Sequence, residues 1–318
     1  DYPRNLVEFS ERFASEKACE AYIFALRWPD GFACPRCSRT EVWRKSRGRL
    51  MCRSCLYETS LTSGTLFHKT RKPLRLWFHA MWWVTSQKNG ASALGLQRAL
   101  GLGSYQTAWT WLHKLRRAMV RPGRDRLRGE VEVDESYLGG PDDGPRGRGA
   151  EGKTTVVIAA EIRGRATGRI RLRVVPDVSS DSLLSFIRDV VEPGSVVVTD
   201  GWLAYRQLSE AGYTHRIQNI KRSGRSAHEL LPRVHRVASL LRRWILGTHQ
   251  GGVAGKHLNY YLDEFTFRFN RRRSSHRGLL FFRLMKQAVE LDPLTYRDLV
   301  KNPAGVDESI ATVHDRGS

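Results

Sequence analysis

Acidic residues are scarce in this chain. Its 318 residues carry 32 Asp and Glu against 53 Lys and Arg, a formal net charge of +21 and a pI near 10.3. Such an excess raises a positive potential that favours polyanions, and binding driven by counterion release weakens steeply with salt. Nucleic acid is the polyanion this balance suits best. Long apolar runs are also missing: none approaches the ~18 residues of a membrane span. A basic-then-apolar secretion signal is absent, which leads to the expectation of a cytoplasmic protein. Cysteine is sparse and odd in number, and four of the five form two C-x-x-C pairs. That arithmetic points to metal in a reducing compartment and not to a disulfide framework. The hydrophobic fraction of 41% suffices for ordinary cores, and the length suits two or three domains.

Residues 8–26 read as one amphipathic helix with Phe9, Phe13, Ala18 and Tyr22 on its apolar face, and Cys19 as a small buried hydrophobe. Cys34-Pro35-Arg36-Cys37 is followed, after fourteen residues, by Cys52-Arg53-Ser54-Cys55. Each C-x-x-C turn aims two thiolates at one point, and two such turns close a tetrahedral site for one structural zinc ion. The intervening Glu41–Met51 segment suits a hairpin turning near Lys45-Ser46-Arg47-Gly48-Arg49. Arg36, Arg39, Arg44, Lys45, Arg47, Arg49 and Arg53 surround the ligands, either against DNA phosphates or as solvated charges. Beyond Pro73 the period becomes helical: 74–86, then 91–100, a Gly101-Leu102-Gly103 turn, and 104–119 capped by Ser104. Helix, glycine turn and a second helix presenting Gln106, Thr107, Thr110, Lys114 and Arg117 fit a helix-turn-helix reader of DNA. A plain helical hairpin would give the same pattern.

Val131 and Val133 alternate with Glu130, Glu132 and Asp134, so a strand puts three carboxylates on one face. An edge strand with a solvated acidic face would alternate likewise. Asp134 stands late in the run, before Gly139-Gly140. Ser195–Thr199 is an apolar run of the kind buried in a sheet centre, and Asp200 closes it. There it either caps the helix that follows or faces a ligand, since ligands of open α/β sheets gather outside strand ends. Two carboxylates from adjacent strands can bridge Mg²⁺, and paired Mg²⁺ ions serve phosphodiester transfer. The region reads as mixed α/β: strands 129–138, 153–163 and 169–175, helix 180–191, strand 195–199, helix 202–211 and strand 213–218.

Four stretches in order carry a family likeness: Arg27–Phe32 with the cysteines, Val133–Gly140, Thr199–Trp202, and Tyr261–Arg272. With these the chain resembles insertion-sequence transposases of the DDE class, within the RNase H-like superfamily, and specifically the ISXO-like subgroup with an N-terminal zinc ribbon. The resemblance implies an RNase H-like catalytic domain preceded by a zinc ribbon and a helix-turn-helix. The expected divisions are an N-terminal helical segment over 1–30, the ribbon over 31–70, the helix-turn-helix region over 71–122, the catalytic domain over 127–275 and a C-terminal helical tail over 276–318. It further implies Asp134 and Asp200 as the first two ligands of catalytic Mg²⁺ or Mn²⁺, two ions in all. The third ligand departs from the simple pattern. Thirty-four residues separate Asp200 from His235, where the superfamily carries an acid or Asn on a helix. Glu229 and Glu264 compete with His235 for the role. Imidazole suits Mn²⁺ better than Mg²⁺, and activity carried by neutral His235 would fade below roughly pH 6.5.

Arg242, two turns beyond His235, matches a basic position of the family and would contact DNA phosphate. Glu264, Arg268 and Arg271 share one face of a late helix, either as an intrahelical ion pair or beside the site. Arg268, Arg271 and Arg272 fall in a run of five cations within ten residues, dense enough for phosphate contact. Trp202 and Tyr205 either pack in the core or stack on a frayed base. The implied activity is cleavage at the element's ends and joining of the 3′ ends to target DNA, in a bacterial, nucleoid-associated protein. Its partners would be double-stranded terminal inverted repeats and target, with a homodimer or higher oligomer on DNA. Two rivals stand beside it, an inactive transposase-derived regulator and a structure-selective nuclease.

Overall fold

The structure is a computed structural model that describes residues 1–46, 48–121, 123–139, 153–253 and 255–301. Arg47 of the expected hairpin turn, Pro122 of the linker, Gly140 with the loop after it, and the last residues of the expected tail lie outside the described residues. The chain forms two units. One comprises Asp1–Arg121 together with the described residues from Ser274 onward, the other the residues between.

In the first unit the helix expected over 8–26 is two helices, α1 (Leu6–Arg12) and α2 (Glu16–Arg27). The break is chemical. Ser15 is extended and its hydroxyl accepts the Ala18 N–H at 3.2 Å, which starts a new helix where the apolar period alone would have continued the old one. Strands β1 (Val42–Arg44), β2 (Arg49–Cys52) and β3 (Glu58–Ser60) make an antiparallel sheet in that order. Arg27, at the end of α2, donates to the carbonyls of Ser60 and Leu61 at 3.0 and 2.8 Å and fixes the sheet to the helix. Helices α3 (Leu74–Ser86), α4 (Ala93–Leu100) and α5 (Tyr105–Ala118) follow, with Ser92 and Ser104 capping the last two.

The second unit holds β4 (Glu130–Leu138), β5 (Thr154–Arg163), β6 (Ala166–Val174), α6 (Ser180–Val190), β7 (Val196–Thr199) and β8 (Thr214–Ile217). Short helices α7 (Ile220–Ser223) and α8 (Ala227–Leu230) lead to the long α9 (Pro232–His249) and α10 (Leu258–Asn270). The five strands form one mixed sheet in the order β6-β5-β4-β7-β8. The pairs β4–β5 and β5–β6 are antiparallel, as direct connections allow, whereas β7 returns through α6 to lie parallel to β4. β8 is parallel to β7. The helix expected over 202–211 is a 3₁₀ helix over Leu203–Leu208. Side chains of β4 alternate between two faces, and both are covered. Val131 and Val133 enter a core with α6 and Tyr205, and Leu138 enters another with α9 and α10.

After the second unit the chain adds α11 (Arg277–Glu290) and α12 (Tyr296–Lys301) to the first. The segment expected as a separate tail thus supplies core. Phe281 lies with its ring 5.5 Å from Phe9 and 5.7 Å from Phe13 and from Phe78. Gly278 is required by this packing, because a Cβ there would meet the Pro3 carbonyl oxygen at 1.5 Å.

A buried carboxylate holds the β5–β6 end of the second unit. Glu161, 1% exposed, accepts from the Arg169 guanidinium at 3.0 and 2.7 Å and from the backbone N–H of Arg169 at 3.0 Å. Burial pushes its carboxyl up, but the Arg169 bonds outweigh burial and the net direction is down. A depressed carboxyl contributes stability that is complete above its unfolded value, near 4.5, and is lost as pH falls through the lower folded value. Glu161→Gln is therefore expected to lower stability by about 3 kcal/mol at neutral pH, by leaving Arg169 without its buried partner. Denaturant unfolding at a series of pH values checks it: the gap between parent and variant should close on acidification below pH 4.5.

Candidate active site

The sequence places Glu130, Glu132 and Asp134 on one strand face, and the structure gives each a different partner. Glu130 pairs with Arg216 of β8 at 3.0 Å. Glu132 is 1% exposed and accepts from the backbone N–H groups of Arg233 and Val234 at 2.7 and 3.1 Å, and from the Arg233 guanidinium at 3.0 Å. Burial pushes the Glu132 carboxyl above its usual range, against these donors. Asp134 lies with Oδ2 3.5 Å from Nε2 of His235 on α9. One pleat further, Ser136 Oγ accepts from Arg242 at 3.2 Å. The three contacts imply that α9 runs along β4: nine residues of helix and four of strand each span roughly 13 Å.

The second carboxylate comes from the neighbouring strand. The parallel register pairs Glu132 with Val198, and continued by two residues it brings Asp134 level with Asp200, just past the end of β7. Adjacent strands lie about 4.8 Å apart. Gly201, φ +83°, makes the turn possible; a Cβ there would also meet the Ile217 side chain at 2.6 Å. Asp200 Oδ1 accepts the Trp202 N–H at 3.0 Å, an Asx turn that fixes how its carboxylate is turned; the 3₁₀ helix that follows has Trp202 as its N-cap and no side-chain cap.

His235 is half-buried, and its Nε2 is shielded from solvent with no hydrogen-bond partner. Burial lowers its pKa first, His228 and Arg242 lower it further, and Asp200 opposes them. The net direction is below 6.5, so the neutral imidazole persists to lower pH than composition suggests. A shielded, unpartnered nitrogen 3.5 Å from a carboxylate oxygen fits a cation between them, since two donors about 2.1 Å from one ion at right angles stand roughly 3 Å apart. Asp134, Asp200 and His235 do not all bring a donor within 4.8 Å of one another. Among the described residues only the four cysteines do that.

The other candidates are committed elsewhere. Glu229 closes a capping box on α8, accepting from the Ser226 N–H and hydroxyl at 2.8 and 2.6 Å. Glu264 is fully buried and takes Arg268 at 2.7 Å, the intrahelical pair weighed above. Its helix α10 covers edge strand β6, two strands from β4. Arg271 lies over the Phe267 ring at 4.1 Å, and Arg272 over Phe269 at 4.0 Å while donating to the Thr167 carbonyl. Tyr205 is core, with its hydroxyl on Glu135, and Trp202 packs against the same cluster and donates to the Val178 carbonyl. Tyr205 is fully buried and offers no face for base stacking, whereas Trp202 is half-buried. The Glu135–Tyr205 bond and the Glu132 cap escape sequence reading, because their partners lie 70 and 101 positions away.

In the first unit Gln106 is exposed, while Thr107, Thr110, Lys114 and Arg117 are half-buried. Helices α11 and α12 pack against α5 and narrow its open face. The four cysteine sulfurs lie within 4.8 Å of one another, with Cys34–Cys55 at 3.7 Å and Cys37–Cys52 at 3.5 Å. For the thiols alone, the N–H of Cys55 lowers Cys52 to about 6, whereas Cys37, despite the Arg39 N–H, is pushed to about 12 by the neighbouring sulfurs. A divalent cation removes that mutual repulsion, so the cluster fits a metal.

Residues 14–58 match the transposase zinc-ribbon domain, and residues 126–270 match the ISXO2-like transposase domain. The two matched segments together span more than half of the chain. The chain belongs to the ISXO-like transposases. It is similar to a protein in transposable element ISH50 of Halobacterium salinarum, 29% identical over 279 residues that cover 80% of this chain and 91% of that protein. A transposase-like protein of Haemophilus influenzae is 27% identical over 116 residues, 36% of this chain and 93% of its own length. The matched ribbon contains all four cysteines, and together they make this a structural zinc site. No helix among the described residues of this transposase is long and apolar enough to cross a membrane.

Metal analysis of the purified transposase is expected to give one zinc per chain. Cys52→Ser should remove it and unfold the ribbon, since structural zinc contributes roughly 10–16 kcal/mol of apparent binding energy at neutral pH. Zinc retained at one per chain in the variant would contradict a four-thiolate site.

Proposed function

We propose that this transposase cleaves phosphodiester bonds at the ends of its element and joins the freed 3′ ends to target DNA, using Asp134, Asp200 and His235. One observation carries the reading: a shielded imidazole nitrogen lies 3.5 Å from the Asp134 carboxylate, on a strand whose parallel register with β7, continued two residues, runs level with Asp200 just past that strand's end. The sheet order β6-β5-β4-β7-β8, with three antiparallel strands followed by two parallel ones, supports assignment of the domain to the RNase H-like superfamily.

The first step sends a water oxygen to the phosphorus and breaks the P–O3′ bond, leaving a free 3′-hydroxyl. In the second, that hydroxyl attacks a target phosphodiester, so one P–O bond forms as another breaks and no external energy source is needed. Divalent Mg²⁺ or Mn²⁺ bound by the three residues would activate the attacking oxygen and stabilise the leaving one. The chain's own groups orient the substrate. Arg242 is exposed and tethered to Ser136 on the site strand, which suits it to a phosphate. The ribbon and the α4–α5 pair, read as a helix-turn-helix, would recognise the terminal repeats, with Gln106 the best-exposed base reader of α5. Holding two ends together requires at least a dimer on DNA, and the basic charge of +21 supports residence on the nucleoid.

The test is a strand-transfer assay with labelled terminal-repeat DNA and Mg²⁺ or Mn²⁺. The parent should yield joined products; cleavage without joining would mark a nuclease, and binding alone a regulator. Asp134→Asn and Asp200→Asn should abolish both steps while leaving DNA affinity within about twofold, because the recognition elements belong to the other unit. Strand transfer retained in either variant would refute the assignment. His235→Ala should cripple activity, and His235→Glu should restore part of it.

A further inference from the structure

Several helices among the described residues are capped by the residue that precedes their first turn. The Asn5, Ser15, Ser92, Ser104 and Ser179 side chains each accept an N–H from the turn they open. Helix α9 has no such cap, and like α3, whose first N–H groups go to Glu16, it takes its acceptor from elsewhere in the chain. Its N-cap is Leu231, which has no acceptor side chain, and its first residue is Pro232, which has no N–H. The next two backbone N–H groups, of Arg233 and Val234, are left to be satisfied from outside. Glu132 satisfies both, at 2.7 and 3.1 Å, from 101 and 102 positions away.

The location of that acceptor matters more than its existence. A Ser or Asp at the N-cap would have closed the turn locally, as at the helices named above. Here the acceptor lies on β4, two residues before Asp134 on the same strand face, and the next residue after the second bonded N–H is His235. A single buried side chain therefore links the strand that presents the carboxylate to the helix that presents the imidazole. The Arg233 guanidinium, 3.0 Å from Glu132 and also donating to the Gly164 carbonyl, neutralises the buried charge and ties the joint to the β5–β6 turn.

We propose that Glu132 is a positioning residue: by holding the first turn of α9 against β4, it sets the His235 imidazole at its separation from Asp134. It touches neither substrate nor cation and acts through His235. The inference rests on His235 facing a metal ion in the working site. Side chains that orient ligands in this way typically contribute 10–100-fold in metal affinity or activity.

Pulsed EPR of the full-length, zinc-loaded protein with added Mn²⁺ tests it. The parent should show a ¹⁴N modulation from imidazole bound to Mn²⁺, and His235→Ala should lose it. Glu132→Gln should lose most of that modulation and need about 10–100-fold more Mn²⁺ for half-maximal strand transfer, with terminal-repeat affinity unchanged. Should Glu132→Gln fail to fold, judged by near-ultraviolet circular dichroism, Glu132→Asp keeps the charge on a shorter arm and should give an intermediate modulation. A folded Glu132 variant with the parent's full ¹⁴N modulation overturns the inference, whatever its activity, because its role would then be structural alone. A parent with no modulation sensitive to His235→Ala overturns the His235 reading itself, and this inference with it.

Discussion

Strand β4 has two faces that answer to different masters, and the second unit is built on that division. Its odd residues Val131 and Val133 enter the core beneath α6. Its even residues Glu132, Asp134 and Ser136 meet α9 at three successive points. A strand alternates strictly, so a one-residue slip would exchange the two sets and turn Glu130, Glu132 and Asp134 into the apolar core beneath α6. The cost of that error fixes the register of β4, and β4 fixes that of β7 through parallel pairing. The levelling of Asp134 with Asp200 is a consequence of hydrophobic patterning.

Much of this was legible in the chain itself. The C-x-x-C spacing announced the ribbon because tetrahedral thiolate coordination tolerates few alternatives. Asp134 and Asp200 were legible because each ends an apolar alternation or run. The helices expected over 74–86, 91–100 and 104–119 declared themselves by period, the last also by its Ser104 cap, and the structure has them over 74–86, 93–100 and 105–118. What stayed hidden depended on long-range pairing. The sequence offers Glu132 as one more acid on a face, and nothing local says that its partners are the first amides of a helix about a hundred residues on. The same blindness applies to Glu264 and Arg268, where spacing permits an ion pair but not its complete burial.

Helix α5 shows the opposite error, in which local pattern promised more surface than tertiary packing leaves. Thr107, Thr110, Lys114 and Arg117 lie at helical spacing on a polar stripe, yet each is half-buried. The covering elements, α11 and α12, come from the far end of the chain, so no window around α5 could reveal them. Burial lowers the Lys114 pKa, and Asp298 of α12 acts in the other direction. The arginines after Phe267 behave similarly: dense charge suggested phosphate, and the structure spends part of it on rings and carbonyls.

The placement of α11 has a consequence in time. The first unit cannot close until Phe281 reaches Phe9, Phe13 and Phe78, and the ribosome makes those residues at opposite ends of its task. At roughly 5–20 residues per second, the interval between the end of α5 and the start of α11 is on the order of 10–30 s. During it the sheet with Asp134 and Asp200 can assemble as a unit while the ribbon-bearing unit still lacks a wall of its core. A growing chain would thus complete its ribbon-bearing unit last, so that a truncated or stalled product never closes that core.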